Sequence, residues 1–135
     1  MTRRRNAADM ETRMTAGCPS LIGLYYKLRA AWSTATSGKC RPDNPAAGQC
    51  SVTALVIQDE LGGEILKTDV DGAWHFYNRI DGRRIDFTMS QFDSPIGYDD
   101  LPSSRQEALA ETSIKQYELL LTRLRSGPTA DNQPR

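Results

Sequence analysis

The order of structural elements in this chain is set by residues 48–88, which read GQCSVTALVIQDELGGEILKTDVDGAWHFYNRIDGRRIDFT. The run from Gln49 to Leu61 is apolar on nearly all sides of a helix, which predicts a buried helix. Gly62-Gly63 is expected to end it. Asp81-Gly82 is a strong signal for a two-residue hairpin turn between two strands. Three short strands are therefore predicted after the helix, at about 64–70, 73–80 and 83–88.

The flanking sequence adds a helix on each side of this region. Apolar residues repeat at helical spacing from Pro19-Ser20 to about Trp32, and again at about 105–125. We therefore expect an α+β fold in which helices pack against a small antiparallel sheet. Residues 18–126 are predicted to form a single domain. The polar segments 1–17 and 127–135 are predicted to be a disordered N-terminus and a disordered tail.

The overall charge and hydropathy exclude several classes of partner. Lys+Arg and Asp+Glu both number 17, so the net charge is zero and no field favours nucleic acid. No apolar stretch reaches the ~20 residues that span a bilayer, so no membrane association is expected. The N-terminal arginines are not followed by a hydrophobic segment, so a secretory signal is not expected either. A cytoplasmic location is the default, and there Cys18, Cys40 and Cys50 should be reduced thiols.

Three residues in this chain suggest a chemistry, namely Cys50, His75 and Asp86. Cys50 is expected in the first turn of its helix, where unpaired N–H groups favour a thiolate and can stabilise an oxyanion. The hairpin register puts Tyr77 opposite Asp86, which makes His75 and Asp86 diagonal neighbours within side-chain reach. Each residue alone has a plainer explanation, as a buried cysteine, a strand histidine or a surface carboxylate. Together they favour a nucleophile, a general base and an orienting group.

The same register divides the hairpin into two faces. Trp74, Phe76 and Ile80 are expected to share the core face with Ile85 and Phe87, and the opposite face carries His75, Tyr77 and Arg79. Trp32 and Trp74 are both interpreted as core residues. Gln91-Phe92 closes over the site, or Phe92 packs on the core as the strand exit.

Two motifs carry a resemblance to known families. The segment Gly48-Gln49-Cys50-Ser51-Val52-Thr53-Ala54 resembles the nucleophile motif of transglutaminases, and HFYNRIDGRRIDFT at 75–88 resembles the histidine and aspartate strands of that superfamily. Over about residues 45–92 and the Trp32 region, the chain is similar to an uncharacterised bacterial family, the YunG-like proteins.

The resemblance implies a papain/transglutaminase-like core with Cys50 as nucleophile, His75 as general base and acid, and Asp86 as orienter. Asn44 stands where papain-type proteases carry an oxyanion glutamine, and Gln49 adjoins the nucleophile. These two are the candidate substrate-binding or oxyanion residues. Ser51 replaces the aromatic residue common after the transglutaminase cysteine, and the interval from His75 to Asp86 is shorter than usual there.

The expected function is that of a cysteine-dependent hydrolase or acyltransferase acting on an amide, ester or thioester carbonyl. The substrate would be a small amide or a peptide. The alternatives are a non-catalytic ligand- or protein-binding module on the same fold, and a redox pair of Cys40 with Cys50. No cofactor is expected, since no phosphate-binding loop or dinucleotide motif is present. No metal site is expected, since closely spaced ligand pairs are lacking.

Overall fold

The computed structural model describes residues 20–126, so the predictions for 1–17 and 127–135 lie outside the described residues. The helices are α1 Leu21–Ala31, α2 Cys50–Leu61, α3 Arg105–Ala110 and α4 Ile114–Ser126, with a 3-10 helix at Met89–Gln91. The strands are β1 Glu64–Val70, β2 Ala73–Ile80, β3 Arg83–Ile85 and β4 Leu101–Pro102. The predicted α+β class, with helices and a small antiparallel sheet, is confirmed.

The sheet has the order β3-β2-β1-β4, and every neighbouring pair is antiparallel. The turn between β2 and β3 has positive φ at both central residues, 51° at Asp81 and 79° at Gly82. That conformation matches the twist of a two-residue hairpin, so Ile80 pairs with Arg83 as predicted. The register of this hairpin therefore follows from its turn.

The third strand is shorter than the predicted range of 83–88, because it ends at Ile85. Asp86 Oδ1 accepts hydrogen bonds from the Thr88 backbone N–H at 3.1 Å and from Thr88 Oγ1 at 3.2 Å. These local bonds turn the chain away from the sheet and into the 3-10 helix. The short edge strand β4 was not predicted; Pro102 is compatible with it because an edge strand leaves some N–H positions unpaired.

The predicted helix at 105–125 is two helices in the structure. Ser104 accepts a hydrogen bond from the Glu107 N–H and caps α3, while Ser113 Oγ accepts one from the Gln116 N–H at the start of α4. Serine hydroxyls favour helix starts over helix interiors, which explains the break between Ala110 and Ile114.

Helix α2 is the centre of the fold, and every residue from Ser51 to Ile57 is buried. One apolar cluster joins α2 to α1 and α4, and a second joins α2 to the sheet and α3. Trp32 is a core residue as predicted, and its Nε1 donates to Thr53 Oγ1 at 2.9 Å. Within residues 20–126, no helix combines the length and the apolar character needed to cross a membrane.

Strand β2 is buried on both faces, because His75, Phe76, Tyr77 and Asn78 are all buried. The face that carries His75 was predicted to be polar, but the segment 86–100 folds back over it. Tyr77 Oη donates to Asp100 at 2.9 Å, and the Tyr98 ring lies 4.9 Å from the Tyr77 ring. The loop after β3 thus covers the histidine.

The core prediction for Trp74 is wrong, since this side chain is 43% exposed. It lies near the beginning of β2, where its ring packs against the Lys67 ammonium group at 4.3 Å. The alternation of side chains along the strand was read correctly, but Trp74 lines a cleft and does not pack in the core.

Candidate active site

Gly48, Gln49 and Cys50 each have a different role at the start of α2. Gly48 has φ of 71°, and a Cβ on it would lie 2.4 Å from Ser37 Oγ, so only glycine fits. Gln49 is fully buried; its Oε1 accepts from Thr36 Oγ1 at 2.9 Å, and its Nε2 donates to the Ser33 carbonyl at 3.3 Å. These contacts fix the loop 33–48 against the helix start, and Cys50 becomes the first residue of α2.

The helix start beside Cys50 lacks the side-chain cap that commonly satisfies the first amides of a helix. No side chain caps α2 at Gln49, and no acidic residue lies in the first turn. The first N–H groups of a helix have no partner within the helix, and they carry its positive partial charge. Cys50 is half-buried and is a free thiol. The helix start therefore stabilises negative charge on a ligand bound beside Cys50.

His75 and Asp86 form a buried pair. Nε2 of His75 lies 2.7 Å from Oδ2 of Asp86, and the two side chains are only 2% and 3% exposed. The same carboxylate oxygen accepts a hydrogen bond from Tyr98 Oη at 2.8 Å. The predicted contact between His75 and Asp86 is confirmed, and it leaves Nδ1 as the other nitrogen for proton exchange.

The pKa of His75 is raised to about 9. Burial is the largest single influence and lowers this pKa, but the hydrogen bonds and charges of Asp86 and Cys50 together outweigh burial. Nδ1 is buried and makes no hydrogen bond. Cys50 therefore acts on the ring from beyond hydrogen-bonding distance. The ring therefore holds a proton at neutral pH and is stabilised as an imidazolium.

Cys50 and His75 line the same cleft, which has a volume of about 820 Å³. Trp74 and Phe92 contribute aromatic surface to it, and Gln91 contributes an amide. Phe92 also packs edge-on against the imidazole, with ring centroids 4.9 Å apart. The cleft is large enough for a small organic substrate, within the usual range for ligand sites.

The two predicted oxyanion residues are not among those that line this cleft. The Gln49 amide is occupied by Thr36 and Ser33, as described above. Asn44 Nδ2 donates to the backbone carbonyl of Gln91 at 3.1 Å. Both residues therefore hold the loops around the cleft.

Comparison with known proteins assigns the chain to a family. The family model described as "YunG protein" matches residues 20–127. The chain belongs to the YunG family. Bacillus subtilis (strain 168) has a relative named "Uncharacterized protein YunG", which is 53% identical over 95 residues, covering 70% of this chain and 83% of that protein. No solved structure matches the chain significantly.

Two residues of this YunG-family site were not predicted to take part in it. Tyr98 reaches Asp86 only because the loop folds back over β2, and no local pattern around Tyr98 indicates that path. Gln91-Phe92 was predicted as a segment that closes over the site or, for Phe92, packs on the core, and the Gln91 amide was given no role. Within the described part of the chain, the buried side-chain polar atoms without a hydrogen bond belong to Asn44, His75 and Gln91. Such atoms are rare in folded proteins, and two of these three residues, His75 and Gln91, line the same cleft.

No group of three or more His, Cys, Asp and Glu side chains within residues 20–126 is placed to hold a metal ion. Cys40 is a second free and half-buried thiol, and it is not among the residues that line the cleft.

Proposed function

We propose that this protein is a cysteine-dependent hydrolase or acyltransferase that acts on an amide, ester or thioester carbonyl. Cys50 is the nucleophile, His75 is the general base and acid, and Asp86 orients His75. The observation that carries the proposal is the buried His75–Asp86 pair, which leaves Nδ1 without a hydrogen bond in the cleft that Cys50 also lines.

The reaction has two halves. The proton on Nδ1 of the imidazolium comes from the Cys50 thiol, so the Cys50 sulfur attacks the carbonyl carbon as a thiolate and forms a C–S bond. The bond to the leaving group then breaks, and the leaving nitrogen, oxygen or sulfur takes the proton from His75. In the second half, His75 accepts a proton from water or from an amine, which attacks the acyl thioester and releases the Cys50 sulfur. Water gives hydrolysis, and an amine gives acyl transfer.

The electrostatics support His75 as the proton carrier. Asp86 stabilises the imidazolium that exists between proton uptake and proton release, and it fixes the ring through Nε2. Four hydrogen bonds hold Asp86 itself, from His75, from Tyr98 and two from Thr88. A carboxylate held this firmly is suited to orient the imidazole.

The order Cys50, His75, Asp86 along the chain also supports the proposal, because papain-like and transglutaminase-like enzymes use that order. The proposal includes a papain/transglutaminase-like core, in which the nucleophile is the first residue of a buried helix. A cytoplasmic location belongs to it as well, since a reducing compartment keeps the thiol active. The substrate class that fits is a small amide or a peptide side chain.

Alkylation by iodoacetamide tests the proposal without a known substrate. Labelling of Cys50 and Cys40 is followed by peptide mass spectrometry from about pH 5 to about pH 9. An ordinary thiol of pKa ~8.5 is only ~1% ionised near pH 6.5, so loss of the imidazolium partner lowers labelling by up to ~100-fold. We expect rapid labelling of Cys50 at that pH, and a large loss of rate in His75→Ala.

Cys40 serves as the internal control, since it is free and half-buried like Cys50. Asp86→Asn should lower the Cys50 rate in the same direction as His75→Ala and leave the Cys40 rate unchanged. Equal labelling of the two thiols, insensitive to His75, would reject the enzyme. It would favour a non-catalytic ligand- or protein-binding module with the same cleft.

A further inference from the structure

The hydrogen bonds of Gln91 determine which way its side-chain amide oxygen and nitrogen face. Its Oε1 accepts a hydrogen bond from the backbone N–H of Gly48 at 3.3 Å. An N–H group can only donate, so the amide oxygen must face Gly48 and the amide nitrogen must face the other way. Nε2 is buried and has no hydrogen-bond partner, although Gln91 lines the cleft together with Cys50 and His75.

We propose that Gln91 is a catalytic residue whose Nε2 donates a hydrogen bond to the oxygen of the substrate carbonyl as negative charge develops on it. This inference rests on the proposed function and identifies the oxyanion donor of the same site. The second donor is the N–H at the start of α2, where no side chain caps the helix. A buried amide without a partner costs free energy in the resting protein, and a ligand oxygen removes that cost.

Gln91 is held in place before any substrate arrives. Its backbone N–H donates to the Thr88 carbonyl at 3.0 Å within the 3-10 helix, and its carbonyl accepts from Asn44 Nδ2. Gly48 holds the side-chain oxygen, and Gly48 is two residues before the nucleophile. A donor fixed on both its backbone and its side chain is preorganised, which is what makes oxyanion stabilisation effective. Asn44 is thus a positioning residue for Gln91.

Two reactions at one sulfur separate this role from the activation of the thiol. In the first, p-nitrophenyl acetate acylates Cys50: the C–S bond forms at a carbonyl carbon, an oxyanion develops, and p-nitrophenolate leaves. In the second, iodoacetamide alkylates Cys50 at a methylene carbon and iodide leaves, so no oxyanion forms. Both rates depend on the thiolate, but only acylation depends on an oxyanion donor.

The variants are Gln91→Ala, which removes the amide, and Gln91→Glu, which keeps an oxygen for the Gly48 N–H but lacks the donor. Each should lower the ratio of the acylation rate to the alkylation rate by ~10²–10³-fold, the usual effect of losing one oxyanion donor. Gln58→Ala is the matched control, because Gln58 is also a half-buried glutamine and is not among the residues that line the cleft. It should leave the ratio unchanged.

The results distinguish the two proposals. The role of Gln91 is overturned if both Gln91 variants leave the ratio unchanged, which includes equal losses in acylation and alkylation. The proposed function still stands in that case if alkylation of Cys50 is fast and depends on His75. If wild-type Cys50 reacts with neither reagent faster than Cys40 does, both proposals are overturned. Circular dichroism of each variant checks that the rates refer to folded protein.

Discussion

Raising the pH should destabilise this protein through a single side chain, His75. The pKa of His75 is about 9 in the folded chain, against an ordinary value of 6.5. Because the folded state binds the proton more tightly than the unfolded state does, the protonated ring adds to the free energy of unfolding. This added stability is fully present below about pH 6.5 and is lost as the pH rises through about 9. Each pKa unit corresponds to ~1.4 kcal/mol, so the loss is about 3 kcal/mol. His75 is 2% exposed, so solvent hardly screens its pair with Asp86.

Urea unfolding in the presence of a reductant measures this loss, with the midpoint recorded from about pH 6 to about pH 10. A change of about 3 kcal/mol should lower the midpoint by about 1–3 M, given the usual dependence of unfolding free energy on urea. His75→Gln is the control, since it keeps a polar side chain and removes the titration. Cys50→Ser separates ionisation of the thiol. Tyr98 faces the same carboxylate, but burial raises its pKa well above the ordinary value, so it stays neutral in this range.

The chain has one histidine, so a single imidazole resonance reports the pKa by NMR. It should titrate near 9 in the wild type and lower in Asp86→Asn, because the carboxylate charge is removed. If the wild type and His75→Gln lose the same stability as the pH rises, the loss does not come from titration of His75 and the reasoning is refuted. An imidazole that titrates near its ordinary value in the folded protein would refute it as well.

The other predictions concern the loop and the core. Gly48→Ala should lower the free energy of unfolding by about 1–3 kcal/mol, because the backbone is left-handed and the added Cβ meets Ser37 Oγ. Gly97→Ala, where a Cβ meets no atom within 4 Å, should change thermal stability little, and equal losses would contradict the argument. Trp32→Phe should cost about 1–3 kcal/mol, because Thr53 loses its buried donor. Adding Thr53→Val should cost little more, and simple additivity of the two losses would contradict the coupling.

Sequence reasoning succeeded where structure depends on short-range chemistry. The apolar run after Cys50 predicts α2, and Asp81-Gly82 predicts both the hairpin and its register. The register in turn predicts the meeting of His75 with Asp86, since pairing across a two-residue turn leaves little freedom. The thiol at the helix start and the imidazole on the strand were therefore identifiable without coordinates.

Sequence reasoning failed where a contact joins distant parts of the chain. Asn44 reaches Gln91 across 47 residues, and no periodicity or turn signal encodes that pairing. The assignment of Asn44 as an oxyanion donor followed from its distance to Cys50 along the chain, which says nothing about where the amide points. Gln91 lies next to Asn44 and Gly48 because the 3-10 helix after β3 packs against the loop before α2.

The exposure of Trp74 has a practical use. Of the two tryptophans in the chain, Trp32 is buried while Trp74 stands open to solvent at the edge of the cleft. A compound that enters the cleft and covers this indole will shift its emission to shorter wavelength. The protein thus carries an intrinsic optical reporter, and libraries of small amides can be screened on unlabelled material before any turnover assay exists.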